Sequence, residues 1–392
     1  MKLSQRVQRI KPSPTLAITA RAAQLRAEGK DIIGFGAGEP DFDTPEHIKR
    51  AAIEAIERGF TRYTAVAGIL PLRQAVVDKF KRENGLEYSA ADVLVSVGGK
   101  QSFYNLTQAL LDPGDEVIIP APYWVSYPDM VLLADGKPVI VASDIDSGFK
   151  ISPDALEAAI TPRTRLVVIN SPSNPTGVTY TRAELAALGE VLLRHPQVLV
   201  ASDDMYEHVN LDGKPFCNIL MACPALHERS IVLNGVSKAY SMTGWRIGYA
   251  AGPRPLIAAM ENIQSQSTSN PTSISQIAAQ AALQGDQSFI KEMNRSFRAR
   301  HDYVVSALNA IPGVRCLHSN GAFYAFPLMQ EVIERLGMRN DLELGEYFIN
   351  EAGVALVPGS AFGAPGCMRL SFATGMDNIQ AGLKRIAAAL GA

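Results

Sequence analysis

The sequence predicts an α/β protein: a mostly parallel sheet with flanking helices, joined to a smaller α+β unit. Three observations carry this. Short Val- and Ile-rich runs alternate with amphipathic stretches up to about Asn294. Each run stops abruptly at polar or turn residues. Beyond Asn294 the pattern changes to one long charged helix and a few short strands.

In chain order, residues 45–58 and 71–83 read as helices, the second ending at the turn Asn84-Gly85. Five strand-like runs follow. Val93 to Val97 ends at Gly98-Gly99, and a helix is expected to begin near Ser102. Glu116 to Ile119 ends at Pro120-Ala121-Pro122, and Leu166 to Ile169 at Asn170-Ser171-Pro172. Val198 to Ala201 ends at Ser202-Asp203, and Ile231 to Leu233 at Asn234-Gly235. Arg295 to Leu308 reads as the long helix, followed by a Pro-Gly turn at 312–313. Short strands are expected around 321–326, 355–357 and 368–372. The stretch up to Phe42 is expected to cross over to this second unit. The expected division is an N-terminal arm over 1–45, a large unit over 46–294 and a small one over 295–392.

The composition narrows the function. A chain of 392 residues, 47% hydrophobic and 19% charged with a net charge of −2, has the balance of a globular protein. No basic stripe marks a nucleic-acid partner. No apolar run is long enough to span a bilayer, and the charged start Met1-Lys2-Leu3-Ser4-Gln5-Arg6 lacks a signal-peptide core. The four cysteines fit neither a zinc site nor a disulfide framework, so reduced thiols in a cytoplasmic protein are expected. The six histidines offer no metal-ligand spacing, and no metal is expected.

Ligands of open α/β sheets sit beyond the carboxyl ends of the strands. That rule places Lys100, Trp124, Asn174, Asp203 and Lys238 on one rim. A buried lysine amine loses proton affinity, and a neutral amine can form a Schiff base with an aldehyde. Lys238 suits that chemistry, and Arg246 further along the same stretch can grip a phosphate. Both read equally well as exposed loop residues. Asp203 suits the ring nitrogen of pyridoxal phosphate, where an ion pair makes the ring an electron sink, or else it caps a helix. Gly98-Gly99-Lys100 reads as an anion site at a helix start or as a plain turn. The Gly-x-Gly-x-x-Gly fingerprint of nicotinamide enzymes is absent. The rigid loop Asn170 to Gly177 can aim Asn174, though Pro-Gly turns are common. Trp124 can stack on a flat ring or pack in the core. Arg369, in the alternating run Met368 to Phe372, can bind a carboxylate or face solvent.

Taken together, these motifs resemble the fold-type I pyridoxal-phosphate aminotransferases of class I. The resemblance is to the bacterial aspartate aminotransferase branch, which includes enzymes that also transaminate prephenate. It runs from Lys11-Pro12-Ser13 to the last helix. Its most specific parts are Gly38-Glu39-Pro40-Asp41-Phe42, Tyr123-Trp124-Val125-Ser126-Tyr127, the Asn174 loop, Ser202 to Tyr206, and Lys238 to Gly248. It implies a seven-stranded, mostly parallel sheet plus a small α+β domain, pyridoxal 5′-phosphate as cofactor, and a homodimer with shared active sites.

The resemblance also implies residue roles. Lys238 holds the cofactor and shuttles the proton, and Asp203 pairs with the ring nitrogen. Tyr206 and Asn174 bond the phenolic oxygen, and Trp124 stacks. Arg246 and the Gly99-Lys100 backbone hold the phosphate, while Tyr63 reaches the neighbouring subunit's phosphate. Arg369 and Gly38 take the α-carboxylate. Lys100, helped by Thr15, reads the distal carboxylate, and Lys11 is linked to prephenate. Trp124 and Asn174 also border the substrate. Many relatives carry a serine where this chain has Gly235, so Ser237 is the nearest hydroxyl for the phosphate. The implied reaction is aspartate with 2-oxoglutarate, and also prephenate to arogenate. The alternatives are an aminotransferase for aromatic or other amino acids, or a lyase on the same scaffold.

Overall fold

A computed structural model describes residues 1–392. Strand β1 (Ile33–Gly34) is short and leads into the helix Glu46–Glu57. The strands of the main sheet are β2 (Val93–Ser96), β3 (Glu116–Pro120), β4 (Lys137–Val141), β5 (Thr164–Asn170), β6 (Leu199–Asp203), β7 (Ser230–Gly235) and β8 (Gly248–Ala251). Their order across the sheet is β2-β8-β7-β6-β5-β3-β4. Only β8 runs against its neighbours; the other pairings are parallel. Five strand ends therefore share one rim, as the strand-end rule requires.

The inner strands are mainly apolar because both faces are covered. Successive residues alternate between the two cores: Val93 and Val95 join one cluster, and Leu94 joins the other. Val167 and Ile169 likewise oppose Leu166 and Val168. Crossover helices close the layers. The one over Arg182–Leu193 starts at a capping box, in which Thr181 and Glu184 bond each other's backbone N–H groups at 3.2 and 2.6 Å.

Two strands of the main sheet, β4 and β8, are not among the runs read from the sequence. β4 is an edge strand containing Pro138, and β8 reads Gly-Tyr-Ala-Ala. The expected helix over 71–83 is divided. It is α-helical over Leu70–Lys79 and then a single π-helical turn, Phe80–Asn84, ending at Gly85. The helix after β2 begins at Gly99, earlier than Ser102, because Gly98 at φ +79° turns the chain straight into it.

The long helix spans Ser288–Asn309. The remaining strands are β9 (Tyr324–Ala325), β10 (Val354–Ala355), β11 (Val357–Pro358) and β12 (Met368–Ser371). β11-β12-β9 form an antiparallel sheet, and β10 pairs in parallel with β1. The N-terminal stretch thus crosses to the C-terminal strands, as expected. A third core, including Phe35, Phe297, Phe348 and Phe372, fills this region. No helix is long and apolar enough to cross a membrane. All four cysteines carry free thiols.

Candidate active site

A cavity of about 300 Å³ opens at the strand-end rim. It gathers Gly99 and Lys100 after β2, Trp124 after β3, Asn174 after β5, Asp203 at the end of β6, and Ser237 and Lys238 after β7. Thr15, Gly38, Tyr206, Arg246 and Arg369, also expected, line it as well.

Lys238 donates from its amine to the Gly38 carbonyl at 2.6 Å. Burial pushes the amine down to about 8, with Arg246 and Arg369 adding to the effect and Glu39 and Asp203 opposing it. A large share of the amine is therefore neutral near pH 8, the form that reacts with an aldehyde. The Asp203 carboxylate accepts from the Tyr127 hydroxyl and, at 3.2 Å, from the Met205 backbone N–H. Burial raises its pKa, against the pull of Tyr127, Met205 and Lys238. Asp203 does not cap a helix; the chain after it is a turn. Asn170 donates to the Asp203 carbonyl and accepts from the Asn174 N–H, both at 2.9 Å, so the ends of β5 and β6 are tied together.

Arg246 sits at φ +56° and donates to the Thr243 carbonyl at 2.8 Å. A side chain at Gly98 would collide with its guanidinium, and one at Gly248 would collide with the Gly98–Gly99 backbone. These glycines let the guanidinium and the start of the helix Gly99–Leu110 meet at one end of the cavity.

Arg369 is 2% exposed and faces inward, away from solvent. It donates to the Asn174 side-chain oxygen at 3.0 Å and the Gly36 carbonyl at 2.8 Å. Its guanidinium lies 4.6 Å from the Tyr324 ring centroid and 5.0 Å from that of Phe362. Burial lowers its pKa, opposed by Tyr324 and Tyr206. The Arg369 Nε and the Thr15 hydroxyl are buried without a partner. The Tyr206 hydroxyl pairs with that of Tyr324 at 2.8 Å, and burial holds it well above the usual phenol range. Lys100 donates to the Ser126 hydroxyl at 3.0 Å and lies 5.1 Å from the Trp124 ring centroid. Burial lowers its pKa, and Arg246 lowers it further.

Two expected residues stand apart. Tyr63 is 92% exposed and outside the cavity. Lys11 lines an adjoining cavity of about 530 Å³, which shares Lys100, Ser126 and Arg246 with the first. Sequence reasoning missed Tyr127 and Tyr324 as partners of Asp203 and Tyr206. Tyr127 follows Trp124 by one helical turn and was legible as part of that motif. Tyr324 lies 118 positions from Tyr206, and no local signal reveals it.

The donor set suits pyridoxal phosphate. The positive guanidinium and helix start stand for its phosphate, the buried carboxylate for its ring nitrogen and the part-neutral amine for its aldehyde. The unpartnered Arg369 Nε and Thr15 hydroxyl remain for a substrate.

A fold and site of this kind define an enzyme of amine chemistry, and similarity makes the class definite. Residues 30–386 match the family model described as aminotransferase class I and II. The chain is 63% identical to an aspartate/prephenate aminotransferase of Nitrosomonas europaea, over 100% of both chains. It is 55% identical to an aspartate/prephenate aminotransferase of Cereibacter sphaeroides, over 98% of each. A crystal structure of the aspartate aminotransferase from Rhizobium meliloti superposes with a TM-score of 0.96 at 51% identity, covering 100% of this chain and 99% of that one. The Thermus thermophilus aspartate aminotransferase with maleate gives a TM-score of 0.94 at 43% identity, covering 99% and 100%. The chain belongs to the class I and II aminotransferase family.

Proposed function

We propose that this enzyme moves the amino group of aspartate to 2-oxoglutarate, giving oxaloacetate and glutamate, and that it also converts prephenate to arogenate. The cofactor is pyridoxal 5′-phosphate. The observation that carries the reading is the cavity in which the Lys238 amine, the Asp203 carboxylate and the Arg369 guanidinium meet. When bound, the cofactor supplies an aldehyde for the amine and a ring that takes up the electron pair left when Cα–H breaks.

The chain's own residues do the rest. Lys238 takes the proton from Cα and returns it at C4′ as a positioned base. Asp203, braced by Tyr127, holds the proton on the ring nitrogen. Trp124 stacks on the ring, while Tyr206 and Asn174 hold its phenolic oxygen. Arg246, Ser237 and the Gly99-Lys100 backbone hold the phosphate; Gly235 brings no hydroxyl. Arg369 takes the α-carboxylate with its planar fork beside Gly38. Lys100 and Thr15 read the distal carboxylate, and Lys11 serves the second carboxylate of prephenate.

The dicarboxylate preference is supported by Lys100, which lines both cavities, and by Lys11, which lines the second. The names of the relatives and the maleate in the Thermus structure support it too. The exposed Tyr63 suits a homodimer in which it reaches the partner subunit's phosphate. Free thiols suit the cytoplasm. A division into an arm over 1–45, a large domain over 46–294 and a small domain over 295–392 places the cavity where all three meet.

The test is product analysis with an amino-donor and oxo-acid panel that includes prephenate. Glutamate forming from aspartate and 2-oxoglutarate supports the reading. Ammonia release or decarboxylation without glutamate would mark a lyase. Lys100→Ala should impair aspartate and leave monocarboxylate donors unaffected; unchanged aspartate turnover removes Lys100 from the distal site. Lys11→Ala should lower prephenate use alone.

A further inference from the structure

Behind the cavity floor lies a polar cluster that the reaction does not use. Lys79 is fully buried, and Glu207, Asn84 and Asn234 are nearly so. The Lys79 ammonium pairs with the Glu207 carboxylate, donates to the Asn84 side-chain oxygen at 2.8 Å and lies 3.6 Å from Glu83. Asn84 donates to Glu207 at 3.0 Å, and Asn234 donates to its other oxygen at 2.7 Å. His208 stands 3.6 Å from Glu207 and 2.9 Å from Glu83. Burial alone would push the Glu207 carboxyl up, yet Lys79, His208 and Asn84 hold it below its usual range.

The cluster joins three segments. Glu207 follows Tyr206 and bonds through its N–H to the Asp204 carbonyl at 2.9 Å, within the turn that begins at Asp203. Asn234 closes β7 just ahead of Lys238, and its side-chain oxygen accepts from the Gly235 N–H at 2.7 Å. Lys79 precedes and Asn84 ends the π-helical turn Phe80–Asn84, which wraps the chain so that both side chains meet Glu207. Buried ion pairs are poor stabilisers: well-packed apolar replacements are often neutral or better. Such pairs can instead fix geometry, and here two of the three joined segments are strand ends that open on the cavity.

We propose that Glu207 is a positioning residue. Anchored by Lys79 and Asn84, it clamps β7, through Asn234, to the Asp203–Tyr206 turn and so sets the placement of the Lys238 amine against the Asp203 carboxylate. This rests on the roles proposed above for Lys238 and Asp203.

The test compares three variants of the cofactor-loaded enzyme. Lys79→Met/Glu207→Leu removes the charges and the clamp. Lys79→Met/Glu207→Gln removes the charges but keeps an oxygen for Asn234. Asn234→Ala keeps the charges and cuts the clamp. The measurements are kcat and KM for aspartate, the dissociation constant of pyridoxal phosphate, the pH midpoint of the visible absorbance, and thermal stability. Displacement of a reacting group by a fraction of an ångström costs about tenfold or more. Lys79→Met/Glu207→Leu and Asn234→Ala should therefore lose about tenfold in kcat and in cofactor affinity, with KM within about twofold and a shifted midpoint. Lys79→Met/Glu207→Gln should recover most of both losses. Equal behaviour of the Leu and Gln variants, or an Asn234→Ala enzyme with wild-type kcat, midpoint and cofactor affinity, overturns the proposal. If the Leu variant does not fold, Asn234→Ala decides alone. Wild-type glutamate production, measured alongside, tests the functional reading separately.

Discussion

The two sides of the cavity are built on different terms. The side carrying Asp203, Lys238 and Gly99 hangs on one sheet, whose parallel register fixes where each strand ends. The opposite side is assembled from both ends of the chain: Arg369 on β12 reaches Gly36 across 333 positions, and Thr15 joins from the helix Pro14–Ala27. On the roles proposed above, the sheet side holds Lys238 and Asp203, which handle the protons, and the assembled side holds Arg369, which grips the α-carboxylate. Changes on the sheet side should therefore cost kcat, and changes on the assembled side should fall on KM.

The largest contrast is expected at Asp203. Asp203→Ala should lower kcat about 10²–10³-fold, the size of a lost electrostatic contact to the reacting system, with KM for aspartate nearly unchanged. Steady-state kinetics checks this, and a loss confined to KM would erase the distinction between the sides. Arg369→Leu comes next. Losing charge-assisted bonds worth about 1.5–3 kcal/mol should lower kcat/KM about 10–10²-fold for both the amino acid and the oxo acid, mainly through KM. Equal KM in variant and wild type would move carboxylate binding elsewhere.

The smallest effect concerns pH and the Lys238 amine alone. In cofactor-free protein the rate of pyridoxal phosphate capture should rise about tenfold per pH unit below about 8 and flatten above it. Stability should carry the matching sign. Folded Lys238 gives up its proton near 8, whereas the unfolded lysine keeps it to about 10.5. Between those values the unfolded chain binds the extra proton, so this contribution to stability rises with pH. Thermal melts of wild type and Lys238→Ala should show the wild type gaining stability relative to the variant as pH rises through that window. A wild type that gains nothing on the variant, or loses ground to it, contradicts a buried amine.

The same contrast explains what the sequence reveals. The strand-end residues are legible because each ends an apolar run, a local signal. Arg369 is legible only as an oddity within an alternating strand; its inward direction depends on Asn174 and Gly36, far away in sequence. Tyr324 carries no signal, because its meaning comes from pairing with Tyr206. β4 and β8 escape for other reasons: Pro138 near the start of an edge strand masks the short run Val139-Ile140-Val141, and the Gly-Tyr-Ala-Ala strand lacks the branched residues that announce the others. The Lys79–Glu207 pair reads in sequence as two ordinary surface charges, since burial is invisible until the π-helical turn folds.

The central claim is that Lys238 is the residue that binds the cofactor and carries the proton. Purified Lys238→Ala, given pyridoxal phosphate, should lack the visible absorbance that depends on the lysine and should lose turnover of aspartate with 2-oxoglutarate. A Lys238→Ala enzyme that keeps both would contradict the account.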